Sequence, residues 1–108
     1  MTPEKRVQNK IVEYLSTLQD QGLPVFVERR NAGGFSYKKG IPDLYAVINS
    51  IHLEIEVKRI GGKLSTMQIK YSEKCNRLGI LWTCVDNLED IKKLTEKLLN
   101  SRIIYSQI

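Results

Sequence analysis

Residues 53–58, Leu-Glu-Ile-Glu-Val-Lys, alternate apolar and charged without a break. Successive side chains of an extended strand point to opposite faces. Leu53, Ile55 and Val57 therefore share one face, and Glu54, Glu56 and Lys58 share the other. A second strand pattern, Leu44 to Ile48, lies just upstream across Asn49-Ser50. So short a connection predicts an antiparallel hairpin. The apolar face of such a hairpin is accounted for by burial. The charged face has two readings: a half-exposed hairpin facing water, or a set of charges held by pairing or by a ligand.

The remaining elements follow from periodicity and punctuation. Thr2-Pro3-Glu4 suits a helix start, with Thr2 as cap, Pro3 in the first turn and Glu4 where the helix dipole favours an anion. Val7, Ile11, Leu15 and Leu18 recur at helical spacing, and Gly22 and Pro24 end the run. Val25 to Val27 reads as a short strand leading to Glu28-Arg29-Arg30. Asn31 to Gly34 reads as a turn, and Ser36 to Gly40 as a basic loop. Beyond the Gly61-Gly62-Lys63 break, Ser65 and Gln68 form a capping box. Met67, Tyr71, Cys75 and Leu78 give the helix that follows one apolar stripe, and Gly79 ends it. Ile80 to Val85 is nearly all apolar, as expected of a strand buried on both faces. Asn87 caps a last helix with Leu88, Ile91, Leu94 and Leu98 toward the core. The tail Ile103-Ile104-Tyr105 is expected to add an edge strand or meet a partner. The order α-β-β-β-α-β-α predicts an α/β fold, a central mixed sheet flanked by helices.

Composition narrows the function. The 108 residues predict one domain, and 42% apolar with 27% charged residues is ordinary for a globular protein. No stretch approaches the roughly 20 apolar residues of a membrane span. The N-terminus lacks the apolar core of a signal peptide, so a cytoplasmic location is expected. Cys75 and Cys84 are the only cysteines and fall in helix and strand patterns, which predicts reduced core residues. With His52 the only histidine, a structural zinc site and His-based nucleophilic catalysis both lose their ligands. Lys and Arg number 17 against 12 Asp and Glu, a net charge of +5 that favours a polyanionic partner.

Gly40-Ile41-Pro42-Asp43 precedes Glu56-Val57-Lys58 by about one hairpin. Two neighbouring strands can therefore bring Asp43, Glu56 and Lys58 together. Phosphodiester hydrolysis needs a cation to neutralise the phosphate and to supply hydroxide near neutral pH. Mg²⁺ takes one or two carboxylates plus water and phosphate oxygens. Asp43 and Glu56 offer the carboxylates, and the Val57 carbonyl is a candidate third ligand. The Lys58 ammonium can orient the attacking water and stabilise developing charge.

These residues, with Gly61-Gly62-Lys63-Leu64-Ser65 and Gln68, resemble the VRR-NUC branch of the PD-(D/E)xK nucleases from Glu4 to about Val85. The resemblance implies the restriction-endonuclease-like αβββαβ core, metal binding by Asp43 and Glu56, and a catalytic Lys58. It implies a further metal-binding glutamate on the first helix, for which Glu4 fits best and Glu13 is the rival. It also implies a catalytic Gln68 near the site, whose other role is the capping box alone. The Gln68 to Tyr71 spacing departs from the Gln-x-x-x-Tyr of RecB-type relatives, so no role passes to Tyr71. The expected cofactor is Mg²⁺ or Mn²⁺. Small stand-alone VRR-NUC proteins of phages and bacteria resemble archaeal Holliday-junction resolvases. The resemblance therefore implies a homodimer acting on branched DNA in the cytoplasm of a bacterium or a phage-infected cell. Arg29, Arg30, Lys38, Lys39, Arg59 and Lys63 flank the site in sequence and are candidate phosphate contacts. The competing functions are a nucleic-acid-binding module without catalysis and a basic accessory protein that binds through its tail.

Overall fold

The computed structural model describes residues 1–30 and 39–101. Its elements are α1 (Pro3–Asp20), β1 (Val25–Arg29), β2 (Leu44–Ile48), β3 (Ile51–Val57), α2 (Thr66–Arg77), β4 (Leu81–Val85) and α3 (Leu88–Leu99). The strands form one sheet in the order β1-β2-β3-β4. The first three pair antiparallel, and β4 pairs parallel to β3. This is the mixed α/β sheet that the sequence predicts. The expected Asn31–Gly34 turn, most of the Ser36–Gly40 loop, Lys38 and the 103–105 tail lie outside the described residues.

Local chemistry starts each helix. The Thr2 hydroxyl accepts from the Lys5 N–H, and Asn87 accepts from the Asp90 N–H. Ser65 and Gln68 form the reciprocal capping box, with the Gln68 N–H donating to Ser65 Oγ at 3.2 Å and the Ser65 N–H to Gln68 Oε1 at 2.8 Å.

The β2–β3 hairpin closes through Asn49 and Ser50, both with positive φ (53° and 70°). That geometry matches the twist of the flanking strands in a two-residue turn. The Asn49 side chain then donates to the carbonyls of Leu98 at 3.1 Å and Ser101 at 3.2 Å. It ties the turn to the end of α3 and satisfies carbonyls that a helix end leaves open.

The core lies on one face of the sheet. Leu44, Ala46 and Ile48 of β2 and Leu53 and Ile55 of β3 are fully buried with Ile11 and Leu15 of α1 and Ile91 of α3. Val7, Leu18, Leu88 and Leu94 pack partly buried around them. Both helical stripes thus face where their spacing predicts.

The opposite face, where α2 packs, is different. Pairing across the strands sets Tyr45 opposite Glu54, and Glu54 and Glu56 opposite Trp82 and Cys84. Three expectations change here. Among the described residues β4 is an edge strand rather than one buried on both faces, and Leu81 is 39% exposed. Cys84 is accordingly exposed, whereas Cys75 is buried as expected. The α2 stripe is also only partly covered, because Met67 and Leu78 at its ends are exposed. A helix over the margin of a sheet has less to pack against than one over its centre.

Candidate active site

The loop into β2 is shaped by one glycine. Gly40 has φ +69° and is buried, and a Cβ built on it would stand 2.3 Å from the Met67 carbonyl and 2.6 Å from the Gln68 nitrogen. Only a residue without a side chain lets the loop approach the α2 backbone this closely. Pro42 is fully buried just beyond, and Asp43 follows at the start of β2.

Asp43 is half-buried. Its Oδ2 lies 3.4 Å from the Gln8 side-chain amide of α1, and its backbone carbonyl accepts from the Arg30 N–H at 2.8 Å. Gln8 is itself buried, although nothing in its residue type marks it out. The usable signal was its position one helical turn after Glu4.

Glu56 is 6% exposed, and its Oε1 has no hydrogen-bond partner. A buried carboxylate oxygen without a donor is costly unless it is protonated or meets a cation. Burial pushes the Glu56 carboxyl up to about 7, Lys58 opposes this, and Asp43 and Glu4 push the same way. Residues from α1, from just before β2 and from just after β3 thus all act on Glu56. Glu4 also lies close to the Arg59 N–H, with Oε1 at 3.4 Å. The rival Glu13 is exposed further along α1.

Among the described residues, no three His, Cys, Asp or Glu side chains already enclose a metal position. Mg²⁺ needs only one or two carboxylates when water and phosphate complete its shell. The open Glu56 oxygen beside Asp43 and Glu4 fits that requirement. Lys58 follows β3, with its N–H on the Val85 carbonyl at 2.9 Å, and Val57 pairs with Val85.

Other predicted residues fall differently. Gln68 is buried with its Oε1 taken by the Ser65 N–H, so its carbonyl oxygen serves the capping box. Arg59, Lys63 and Lys39 are exposed. Arg29 is exposed too, but its Nη2 donates to Asn9 at 2.6 Å. Arg30 departs most from the expected phosphate contact, because its guanidinium turns into the sheet. Nη1 and Nη2 meet the two oxygens of Glu54 at 2.6 and 2.7 Å, and Nη1 also donates to the Pro42 carbonyl at 2.7 Å. The guanidinium lies 4.8 Å above the Tyr45 ring, which stacks on His52, and His52 reaches Glu54 Oε2. Burial pushes Glu54 upward, but the bonds from Arg30 and His52 outweigh it and hold the carboxyl below its usual range.

A mixed four-stranded sheet with helices on both faces defines an α/β core. A solved structure described as "VRR_NUC domain" aligns with this chain at TM-score 0.68 and 23% identity, covering 89% of this chain and 97% of that one. The chain has the VRR-NUC fold, as the motifs implied. No protein-family model and no curated protein matches the sequence.

Proposed function

We propose that this chain is a metal-dependent DNA endonuclease that hydrolyses phosphodiester bonds. The observation that carries the reading is the buried Glu56 carboxylate, with one open oxygen, in the field of Asp43, Glu4 and Lys58. Asp43 and Glu56 would hold Mg²⁺ or Mn²⁺, with Glu4 beside them and the Val57 carbonyl as a further donor. When bound, the metal supplies charge neutralisation of the phosphate and a water of lowered pKa. Lys58 would orient the attacking water and stabilise charge on the phosphate oxygens. Arg59 and Lys63, exposed just after Lys58, grip flanking phosphates.

The finer reading is a homodimer acting on branched DNA in the cytoplasm of a bacterium or an infected cell. Two symmetric cuts need two centres at fixed separation, which a two-fold dimer supplies. Strand β4 supports this reading, because Leu78, Ile80 and Leu81 expose apolar surface beside a strand margin that no other strand among the described residues pairs with.

The test is incubation with labelled single strand, duplex, flap and four-way junction in Mg²⁺ or Mn²⁺. Asp43→Asn and Glu56→Gln, which remove charge and little volume, should abolish cleavage and leave the fold intact. Undiminished cleavage in excess EDTA would sink the reading. Binding without cleavage would favour the non-catalytic nucleic-acid module on the same fold.

A further inference from the structure

The two peptide units flanking Asp43 are both held by one residue. The Arg30 N–H donates to the Asp43 carbonyl at 2.8 Å, and the Arg30 Nη1 donates to the Pro42 carbonyl at 2.7 Å. Those carbonyls belong to the peptide planes on either side of the Asp43 Cα. Since each plane is rigid, fixing both fixes φ and ψ at Asp43 and hence the direction of its Cα–Cβ bond. We propose that Arg30, locked by Glu54, is a positioning residue that aims the Asp43 carboxylate, and that it is not a DNA contact. This rests on the nuclease reading for its functional consequence.

Glu54 supplies the lock. It is 2% exposed and engages both terminal nitrogens of the guanidinium, a fork that fixes the plane as well as the position. Tyr45, on the strand between them, carries the guanidinium on its ring. His52 stacks on the same ring and reaches the second oxygen of Glu54. Every part of this network is therefore set by the registers of β1 on β2 and of β2 on β3. Glu54 and Glu56 share a face of β3, but the first is closed by its partners and the second has an open oxygen. The sequence alternation gave both the same appearance.

Lysine keeps the charge of Arg30 but cannot make a fork and a third bond at once. The test compares Arg30→Lys and Glu54→Gln with the parent chain by steady-state cleavage at saturating metal, and by hydrogen exchange of the residue-30 amide. The proposal expects kcat to fall about 10- to 100-fold. KM and its salt dependence should stay near the parent values. The residue-30 amide should exchange about tenfold faster while amides within β2 and β3 keep their protection. A raised KM with a shallower salt dependence and an unchanged kcat would make Arg30 a phosphate contact and overturn the proposal. Unchanged exchange in both variants would also overturn it. If the parent chain cuts no DNA, the nuclease reading fails by itself, and the exchange measurement still decides whether Arg30 holds Asp43. If Arg30→Lys does not fold, Glu54→Gln is read by the same two criteria.

Discussion

Gly40 and Gln68 meet backbone to backbone: a Cβ on Gly40 would lie 2.6 Å from the Gln68 nitrogen. The loop carrying Asp43 is thus seated on the first turn of α2, the turn that the Ser65–Gln68 box caps. Gly40→Ala combines a strained positive φ with an overpacked contact against backbone that cannot yield. We expect a loss of about 2 to 4 kcal/mol in urea unfolding. A loss under about 0.5 kcal/mol would mean that the loop reseats freely.

Glu56 makes the metal-free protein sensitive to pH. Its folded pKa, about 7, stands above the usual 4.5, so between those values the folded state binds more protons than the unfolded. Stability should therefore be highest below about pH 4.5 for this group and decline as pH rises through 7. The full effect is at most about 3 kcal/mol. Glu54, held below its usual range, has the opposite sign, and its contribution is lost only in the more acidic window. Thermal melts in EDTA from pH 5 to 8 should show the decline, and Glu56→Gln should flatten it. A decline of equal size in that variant would assign it to another group.

Metal binding should follow from the same carboxylate. Below about pH 7 a cation must displace the Glu56 proton, so binding releases protons and weakens as the solution is acidified. Calorimetry with Mn²⁺ in two buffers of different ionisation enthalpy reads the proton directly. Heats independent of the buffer at pH 6 would show that Glu56 does not bind the ion.

Lys58→Ala separates chemistry from metal affinity. The variant should keep metal binding and lose about 10²-fold or more in rate. If calorimetry showed lost affinity while cleavage at saturating metal stayed near the parent rate, Lys58 would instead support the metal site.

The exposed apolar margin at β4 gives the assembly prediction. Leu81→Lys should shift the light-scattering mass at micromolar concentration from dimer to monomer and replace paired cuts on a mobile junction by single nicks. A parent chain that is already monomeric, with equal activity on linear duplex and junction, removes the resolvase-like part of the reading and leaves the nuclease part standing.

What the sequence revealed was mostly local. The Ser65 and Gln68 box, the Thr2 and Asn87 caps and the Asn49-Ser50 turn depend on residues within a few positions of one another. Alternation placed Glu54, Glu56 and Lys58 together because period two is a backbone property. β4 is more exposed than its apolar run predicts, because such a run does not say how much of its two faces other elements cover. The Arg30–Glu54 lock spans 24 residues and three strands, so it exists only once register is fixed. Arg30 and Arg29 read alike in the chain, yet one faces the sheet interior and the other meets Asn9.

The Asn49-Ser50 turn has a consequence in counting. It sets which residue of β3 faces which residue of β2, and the two faces of β3 have opposite uses. One residue inserted between Ser50 and Leu53 would turn the carboxylates toward α1 and α3 and the aliphatic side chains toward α2, unless a bulge absorbed it. Two inserted residues would restore the original sense. The chemistry of this sheet therefore tolerates changes of length by parity, not by size.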